Sequence, residues 1–254
     1  MEIYRVGGEK CMKKNSIAII TARGGSKRIP KKNIKEFYGK PIIAYSIEAA
    51  LSSNQFDEVM VSTDSVEIAE IARKYGANVP FFRSSKTSSD TATTSEVLME
   101  VISEYNKQGV EFEYMCCIYP TAPFVTAQKL RDAMKLIKDK EPLQIIPVVK
   151  YEYPPQRAFF RNDKNLLEFV YSEHRTTRSQ DLETYYHDAG QFYVCNVKKF
   201  IEYKGKLDSE IMPIIVPEME VQDIDNEEDW KLAELKYNIM MENMKNISEN
   251  TRGL

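Results

Sequence analysis

Short apolar segments alternate with amphipathic segments along most of this chain, and this alternation limits the possible folds more than any other feature. A strand–helix–strand order favours parallel strands whose faces are both covered by helices. The sequence therefore predicts an α/β fold of three layers, α/β/α, with a mostly parallel sheet. The predicted strands are Ser16–Thr21, Phe56–Ser62, Asn78–Phe82, Phe112–Tyr119, Gln144–Val149, Gln191–Val197 and Ile211–Val216, and the predicted helices are Pro41–Ser52, Val66–Tyr75, Thr93–Gln108, Thr126–Lys138 and Asn226–Met241.

The domain organisation follows from where this alternation holds and where it stops. A chain of 254 residues is long enough for one sizeable domain, which we assign to residues 16–243. Residues 1–15 and 244–254 are polar and are predicted to be flexible tails. Between 150 and 187 the pattern breaks at two prolines and becomes rich in aromatic residues. This segment is interpreted either as an arm that packs on a second subunit or as a β-extension of the same domain.

Composition excludes several classes of function. The net charge of −3 argues against a general nucleic-acid-binding protein, which usually carries a domain-wide basic excess. No apolar run approaches the roughly 20 residues that span a bilayer. The segment 1–15 lacks the apolar core of a signal peptide. The four cysteines have neither disulfide-framework nor zinc-site spacing, and Cys116 and Cys117 are expected in the core. A cytoplasmic location is the default expectation.

The segment Thr21–Asn33 is the first candidate site. It reads T-A-R-G-G-S-K-R-I-P-K-K-N and directly follows a predicted strand. Gly24 and Gly25 allow unusual backbone angles and close approach of a ligand to the main chain. Free backbone N–H groups and clustered basic side chains suit a polyphosphate, whereas the alternative is a solvated charged turn. The segment matches neither the Walker A pattern nor G-x-G-x-x-G, so it supports neither a P-loop NTPase nor a dinucleotide-binding enzyme. The basic residues are Arg23, Lys27, Arg28, Lys31, Lys32 and Lys35.

The segment Val221–Asp225 is the second candidate site. In an extended chain, residues two apart point to the same face, so Asp223 and Asp225 present two carboxylates side by side. Such a pair suits Mg²⁺, which also binds phosphate oxygens. The alternative is an acidic turn that caps the helix beginning near Asn226. Beside a polyphosphate loop, the metal interpretation is favoured.

Three further segments are candidates for walls of the same site. Arg83 and the hydroxyl-rich run Ser89–Thr94 precede a helix, where hydroxyl groups can cap the helix or bind a ligand. The proline-fixed loop Tyr119–Phe124 leaves a strand end and could line a pocket or simply turn the chain. His187 could act as a general base or contact a sugar, although a lone histidine beside an aspartate is more often structural.

Taken together, these segments resemble the acylneuraminate cytidylyltransferases, which activate nonulosonic acids with CTP and release pyrophosphate. The resemblance spans about Ser16 to Tyr237 and rests on several motifs at once. It implies a Rossmann-like nucleotidyltransferase fold, Mg²⁺ as cofactor and a homodimer built through the 150–187 arm. The matching motifs are I-T-A-R-G-G-S-K-R-I-P-K-K-N-I from residue 20, V-S-T-D (61–64), S-D-T-A (89–92) and D-I-D (223–225).

The resemblance also implies roles for individual residues. Arg23, Lys32, Asp223 and Asp225 correspond to catalytic positions, and the two aspartates to the metal ligands. The nucleotide-binding residues implied are Ala22, Arg23, Gly24, Gly25, Ser26, Lys27, Lys32, Asn33, Arg83 and Thr94. The sugar-binding residues implied are Tyr119, Thr121, His187 and Gln191.

Within the family, the chain is most similar to the enzymes that act on pseudaminic acid. The supporting segments include C-C-I-Y-P-T-A-P-F from residue 116 and Y-H-D-A-G-Q-F-Y from residue 186. Tyr119 stands where sialic acid enzymes commonly carry a glutamine that contacts the sugar, which disfavours plain N-acetylneuraminate. The alternatives are N-acetylneuraminate or legionaminate as substrate, a metal-dependent glycosyltransferase of similar fold, and a binding module without catalysis.

Overall fold

The structure is a computed structural model that describes the backbone of residues 2–6 and 9–252, and side chains from residue 12 to residue 243. The strands are β1 (Glu2–Val6), β2 (Glu9–Thr21), β3 (Glu36–Phe37), β4 (Lys40–Pro41), β5 (Glu58–Ser62), β6 (Val110–Ile118), β7 (Gln144–Lys150), β8 (Phe159–Arg161), β9 (Leu167–Phe169), β10 (Tyr186–Asp188), β11 (Phe192–Asn196) and β12 (Ile211–Ile215). The α-helices are α1 (Ile43–Ser53), α2 (Val66–Lys74), α3 (Thr94–Lys107), α4 (Ala127–Lys140), α5 (Val197–Glu202) and α6 (Glu227–Arg252). In the described part of the chain, no helix has both the length and the apolar character needed to cross a membrane.

A mixed sheet of eight strands forms the centre of the fold. Its hydrogen-bonded path runs β1-β2-β6-β11-β7-β10, with β5 also on β2 and β12 also on β7. Strands β5, β2, β6, β7 and β12 run in one direction, because β2 is parallel to β5 and β6, β11 is antiparallel to both β6 and β7, and β12 is parallel to β7. The sheet is therefore mostly parallel, and the predicted fold class is confirmed.

Helices cover both faces of the sheet and form two apolar layers. Along β2, Ala18 and Ile20 pack toward α1, α2 and α4, whereas Ile17 and Ile19 pack toward α3 and α5. All four side chains are fully buried. A strand covered on both faces needs apolar residues at every position, which explains why this strand reads as a continuous apolar run without alternation.

A third apolar cluster joins the beginning and the end of the chain. Ile29 from the basic loop, Phe37, Ile224 and Trp230 are all buried in it. The ring of Phe37 meets the rings of Trp230 and Tyr237 edge to face, at 5.6 and 5.4 Å between centroids. Ile224 lies between the two candidate metal ligands, so this cluster brings the Asp223–Asp225 segment against the Thr21–Asn33 loop.

Two predicted boundaries are wrong by more than two residues, and one predicted strand does not form. Strand β2 begins at Glu9 rather than Ser16, because it pairs antiparallel with β1 and parallel with β6 in register Met12↔Val110. The predicted strand Asn78–Phe82 is reduced to a single bridge between Met60 and Asn78. Helix α6 continues to Arg252 rather than ending near Met241. Residues 1, 7, 8, 253 and 254 of the predicted tails lie outside the described residues.

The segment 151–188 has little contact with the core. Among its residues, all of which the structure describes, only Gln156 is buried. Strands β8 and β9 form a separate two-stranded sheet, and β10 returns to the main sheet beside β7. Its hairpin carries half-exposed Phe159 and Phe160 and the largely exposed Leu166 and Leu167. A two-stranded hairpin with apolar residues in solvent is only marginally stable by itself.

Candidate active site

The Thr21–Asn33 loop leaves the carboxyl end of β2 and is fixed by hydrogen bonds to its neighbours. The backbone N–H of fully buried Ala22 donates to the carbonyl of Ser62 at 3.0 Å. The backbone N–H of Gly24 donates to Oδ1 of Asp64 at 2.8 Å. The amide of buried Asn33 donates to the carbonyl of Arg23 at 2.8 Å. Buried Asn33 therefore holds the backbone of the loop in place at Arg23.

The two loop glycines serve a different purpose from the one expected. Neither Gly24 nor Gly25 adopts a positive φ, so the expectation of unusual backbone angles is wrong. A Cβ on Gly24 would lie 3.2 Å from Cβ of Ser65, which is tighter than an ordinary contact. A Cβ on Gly25 would meet no atom within 4 Å. The absence of a side chain at Gly24 lets the loop approach the start of α2, and Gly25 leaves its own backbone uncovered.

The basic side chains of this loop contact acidic residues from distant parts of the chain. Nη1 of Arg23 lies 2.5 Å from Oδ1 of Asp90, and Lys27 binds the other oxygen of that carboxylate. Nη2 of Arg28 lies 2.7 Å from Oδ1 of Asp225, and Nζ of Lys32 lies 3.7 Å from the same atom. The hydrogen bonds from Lys27 and Arg23 lower the pKa of the Asp90 carboxyl. Four basic side chains thus surround two carboxylates. An anionic ligand could bind the same four side chains in place of these carboxylates.

A cavity of about 590 Å³ lies over this loop at the carboxyl ends of β2 and β6. This position is the usual ligand site of a parallel sheet. The predicted nucleotide-binding residues that line it are Arg23, Ser26, Lys27, Lys32, Asn33, Arg83 and Thr94. Ala22, Gly24 and Gly25 do not line it. Thr121, predicted to bind the sugar, lines this cavity together with Arg28, Asp90 and Tyr119.

Arg83 and Thr94 are held by the fold before any ligand is considered. Arg83 is buried, and its guanidinium donates to Oγ of Ser62 at 3.1 Å and to the carbonyl of Ser62 at 2.7 Å. Desolvation by burial lowers the pKa of Arg83. Thr94 is the first residue of α3, whose N-cap Thr93 forms a capping box with Glu96. The predicted helix cap is confirmed, and it positions Thr94 at the cavity wall.

A second cavity of about 510 Å³ shares Tyr119 with the first. The residues that line it include His187, Asp188, Gly190, Glu218, Gln222, Asp223 and Lys236. His187 is exposed and contacts the backbone carbonyl of Asp188 through Nδ1 at 3.0 Å. Its ring lies 4.8 Å from the ring of Tyr151, centroid to centroid. The structure thus gives His187 no carboxylate partner within the described residues, and it faces open space in this cavity.

Tyr119 stands at the junction of the two cavities and is fixed there. Its ring meets the ring of Tyr193 at 5.4 Å, and the hydroxyl of Tyr193 donates to Oδ2 of Asp188 at 2.7 Å. Oδ1 of Asp188 accepts from the backbone N–H of Gly190 at 2.8 Å. Burial is the main cause that raises the pKa of Tyr119. Tyr119 is therefore a neutral, oriented phenol at neutral pH.

Gln191 lines neither cavity. Gln191 is buried, and its side-chain Nε2 donates to the backbone carbonyl of Glu220 at 2.5 Å, while its backbone carbonyl accepts the N–H of Tyr119 at 2.9 Å. These two bonds connect β11 to the end of β6 and to the segment that leads to Asp223. In this structure Gln191 positions Tyr119 and the Asp223 segment, and its side chain is buried outside both cavities.

Asp223 and Asp225 face different parts of the site. Exposed Asp223 lines the second cavity, and Asp225 contacts Arg28 and Lys32 at the wall of the first. The carbonyl of buried Ile224, between them, accepts from Nζ of Lys32 at 2.6 Å. Asn226 is the N-cap of α6, because its Oδ1 accepts a hydrogen bond from the N–H of Asp229 at 2.9 Å. The helix is therefore capped by Asn226, and neither Asp223 nor Asp225 serves as its cap.

The donor set is compatible with Mg²⁺ but does not form a complete protein cage. Among the residues with described side chains, no group of three or more histidine, cysteine or acidic side chains converges. Mg²⁺ is commonly held by one or two carboxylates plus substrate phosphates and water, rather than by protein ligands alone. No hydrogen bond or ion pair within the described residues occupies the carboxylate of Asp223. Asp225 at the wall of the cationic cavity and Asp223 in the adjoining cavity therefore fit a metal that arrives with a polyphosphate.

Sequence patterns had given no role to Asp90, Asp188 or Lys236, and Arg28 was counted only as one basic residue of the loop. Asp90 lies in S-D-T-A, a motif of the resemblance whose hydroxyl groups were expected to cap a helix or bind a ligand. Asp188 follows His187, and only the histidine of that pair was considered as a general base or a sugar contact. Lys236 lies on α6, whose amphipathic pattern gave no reason to separate it from other lysines. Their positions follow from packing between distant segments.

Comparisons with known proteins agree with this geometry. The family model described as "Cytidylyltransferase" matches residues 17–223. The pseudaminic acid cytidylyltransferase of Campylobacter jejuni is 40% identical over 224 residues, which cover 88% of this chain and 97% of that protein. The CMP-N,N'-diacetyllegionaminic acid synthase of Legionella pneumophila is 33% identical over 227 residues, or 86% and 94% of the two chains.

A solved structure of CMP:2-keto-3-deoxy-manno-octonic acid synthetase in complex with CTP shares the fold, with a TM-score of 0.65 over 90% of this chain and 100% of that one. Its sequence identity is 16%, so the likeness concerns the fold alone. The family match covers most of the chain, including the basic loop, both walls of the first cavity and Asp223. This chain belongs to the cytidylyltransferase family of nucleotidyltransferases.

Proposed function

We propose that this protein transfers the CMP moiety of CTP to a nonulosonic acid, and that pseudaminic acid is its sugar. The observation that carries the proposal is the pair of cavities that meet at Tyr119. One has a cationic wall and the other is lined by polar groups. The Asp223–Asp225 segment contacts the cationic wall at one end and lines the polar cavity at the other. A nucleotide and a sugar would meet at this junction.

The first cavity suits the triphosphate of CTP. Arg23, Lys27, Arg28 and Lys32 line it and supply both bidentate guanidinium donors and point charges. In this structure Asp90 and Asp225 form ion pairs with these four side chains. The phosphate oxygens of CTP would replace the two carboxylates in these contacts. The hydroxyl and carbonyl groups near Arg83 and Thr94 are proposed to face the nucleoside.

The proposed reaction is an in-line attack of the anomeric 2-hydroxyl of the sugar on the α-phosphorus of CTP. The bond from the sugar oxygen to the α-phosphorus forms as the hydroxyl proton passes to solvent water. The bond between the α-phosphorus and the bridging oxygen breaks, and pyrophosphate leaves with that electron pair. Arg23 and Lys32 stabilise the charge that develops on the α-phosphate and the leaving group. Mg²⁺ held by Asp223 and Asp225 would neutralise phosphate charge and lower the pKa of the sugar hydroxyl.

The sugar assignment rests on Tyr119 and on the relatives. Tyr119 lines the second cavity as well as the first, and its neutral phenol can pack against an apolar face of the sugar and donate one hydrogen bond. The Campylobacter relative, 40% identical over nearly its full length, carries pseudaminic acid in its name, and the legionaminic acid relative is less similar.

The decisive experiment is pyrophosphate release with CTP and Mg²⁺ in the presence of pseudaminic, N-acetylneuraminic or legionaminic acid. We expect release with pseudaminic acid and at least tenfold lower kcat/KM with the other two acids. Release mainly with another acid would keep the reaction and overturn the sugar assignment. No release with any acid, from protein with a cooperative thermal transition, would overturn the proposed reaction. Reactions without sugar and with UTP in place of CTP are the controls.

Asp90 is expected to compete with the phosphates of CTP for Arg23 and Lys27. Because its pKa is lowered in the folded protein, the carboxylate contact is fully formed at neutral pH and is lost only when the pH falls through that lowered pKa. Asp90→Asn should therefore tighten CTP binding a few-fold at pH 7, measured by calorimetric titration without sugar. Asp132→Asn, an exposed acid on α4, is the control. Weaker binding by Asp90→Asn would assign Asp90 to ligand binding instead.

We also propose that the protein is a homodimer formed through the segment 150–187, hereafter the arm. The arm exposes apolar side chains that a second copy would bury. We expect light scattering to give twice the chain mass, and Phe160→Asp combined with Leu167→Asp to give a monomer. Leu235→Asp, an equally exposed apolar residue on α6, should remain dimeric. A monomeric wild-type protein would contradict the proposal.

A cytoplasmic location is proposed as well. Cys116, Cys117 and Cys195 are buried free thiols, which suits a reducing compartment. Cell fractionation checks this, and recovery outside the cytoplasm would contradict it.

A further inference from the structure

The second cavity is lined by more negative than positive charge, although the proposed substrate is an acid. Asp188, Glu218 and Asp223 line it. Asp188 is engaged on both oxygens by Tyr193 and Gly190, whereas Asp223 is open. A sugar carboxylate entering among these groups would be repelled unless a cation received it. The cavity therefore needs a positive side chain that is not already neutralised by one of these acids.

Lys236 of α6 meets that requirement. Among the described residues it is the one lysine or arginine that lines this cavity. No acidic side chain in the described part of the chain lies within ion-pair distance of it. Its ammonium instead donates to the backbone carbonyl of Val221 at 2.7 Å and, more weakly, to that of Glu218 at 3.4 Å. An ammonium has three N–H donors, so at least one remains for a ligand.

The position of Lys236 is fixed on both sides. The next residue, Tyr237, is buried in the cluster that holds Phe37 and Trp230. Val221 and Gln222, which precede Asp223, line the same cavity as Lys236. The ammonium therefore lies at a fixed place beside the segment that carries Asp223. A cation already oriented by two carbonyls loses little side-chain freedom when it binds an anion.

Resting on the function proposed above, we propose that Lys236 binds the C1 carboxylate of the nonulosonic acid and thereby positions the attacking hydroxyl. In these sugars the carboxylate and the 2-hydroxyl are attached to the same carbon. When the carboxylate is bound to Lys236, the position of the hydroxyl is limited to a rotation about that shared carbon. Such a rotation can direct the hydroxyl toward Asp223. Such orientation is a recognised source of rate acceleration. Lys236 thereby distinguishes sugar acids from neutral sugars.

The test compares variants of Lys236 against the acid and against a sugar that lacks the charge. Lys236→Met removes the ammonium and keeps the aliphatic stem, Lys236→Arg keeps a charge, and Lys231→Met is the control at an exposed position of the same helix. The KM for pseudaminic acid is measured at saturating CTP, and the KM for CTP at saturating sugar. The C1 amide of pseudaminic acid is measured as a competitive inhibitor of each variant.

We expect Lys236→Met to raise the KM for the acid by about 10- to 100-fold, the size of one charged hydrogen bond, and to leave the KM for CTP within about twofold. Lys236→Arg should recover part of the loss, and Lys231→Met should match the wild type. The inhibition constant of the amide should be the same for the wild type and Lys236→Met.

Two results would overturn this inference. Equal weakening of acid and amide by Lys236→Met would make Lys236 a structural tether of the Val221 carbonyl. An unchanged KM for the acid would remove Lys236 from substrate binding. Failure of the proposed function itself is a different result, because the wild type would then release no pyrophosphate with any of the acids. Thermal transitions of all variants confirm that each compared protein is folded.

Discussion

Lys32→Ala is expected to lower the turnover number by about 10²- to 10³-fold, the usual effect of removing one preorganised electrostatic donor. The side chain of Lys32 is 20% exposed, so its ammonium acts where water screens poorly. Lys32 lines the cationic cavity, and its ammonium donates a hydrogen bond to the carbonyl of Ile224. This bond holds the side chain in the cavity and limits its motion into solvent. Single-turnover formation of the CMP-sugar measures the effect on chemistry, separately from product release.

Lys31→Ala is the matched control for this prediction. Lys31 is the neighbouring residue, but it is exposed, pairs with Glu67 and lines neither cavity. It should change turnover by less than about threefold. Lys32→Gln keeps most of the side chain and a hydrogen-bond donor for the Ile224 carbonyl, but it removes the charge. This variant separates the effect of the charge on turnover from the effect of leaving that carbonyl unpaired. If Lys32→Ala and Lys32→Gln both keep the full rate, Lys32 has no role in stabilising charge.

Replacing Asp223 and Asp225 together by asparagine is expected to reduce activity by at least about 10³-fold and to remove the response to Mg²⁺. The asparagine keeps the shape of each side chain and removes the charge that a hard divalent cation requires. Excess EDTA should abolish wild-type activity, and added Mg²⁺ should restore it. Glu228→Gln, at an exposed acid in the first turn of α6, is the control.

The single variants should differ from each other because the two carboxylates have different surroundings. Asp225→Asn also releases Arg28 and Lys32 from their carboxylate partner, so it should change the KM for CTP. Asp223→Asn leaves those ion pairs in place and should act mainly on turnover and on the Mg²⁺ concentration needed. Full activity of the double variant in EDTA would exclude the metal site.

The elements of the central sheet were largely predictable because their signals are local. Buried parallel strands require continuous apolar runs, and Ile17–Ile20 provides one. Helix starts could be identified from Thr93, Thr126 and Asn226, whose side chains form the expected caps. These signals depend on a few neighbouring residues, so they survive without knowledge of the rest of the chain.

The elements that were missed depend on distant partners. The polar segment before Ser16 reads as a tail, but β1 on one side and β6 on the other supply the hydrogen bonds that make it a strand. The segment after Asn78 reads as a strand, but only one bridge to Met60 forms. Strand formation requires a partner at the correct register, and a single segment does not contain that information.

Residues that lie close together in the chain were enough to predict the fold class, the basic loop, the acidic pair and the helix caps. The tertiary structure alone decided which acids meet which cations, that Gln191 supports Tyr119 from within the core, and that Asp223 and Asp225 face two cavities. It also decided that Lys236 faces the second cavity. Each of these facts arises from packing between segments up to about two hundred residues apart, as in the cluster that contains both Ile29 and Ile224. The hydrophobic effect acts between surfaces whatever their separation along the chain.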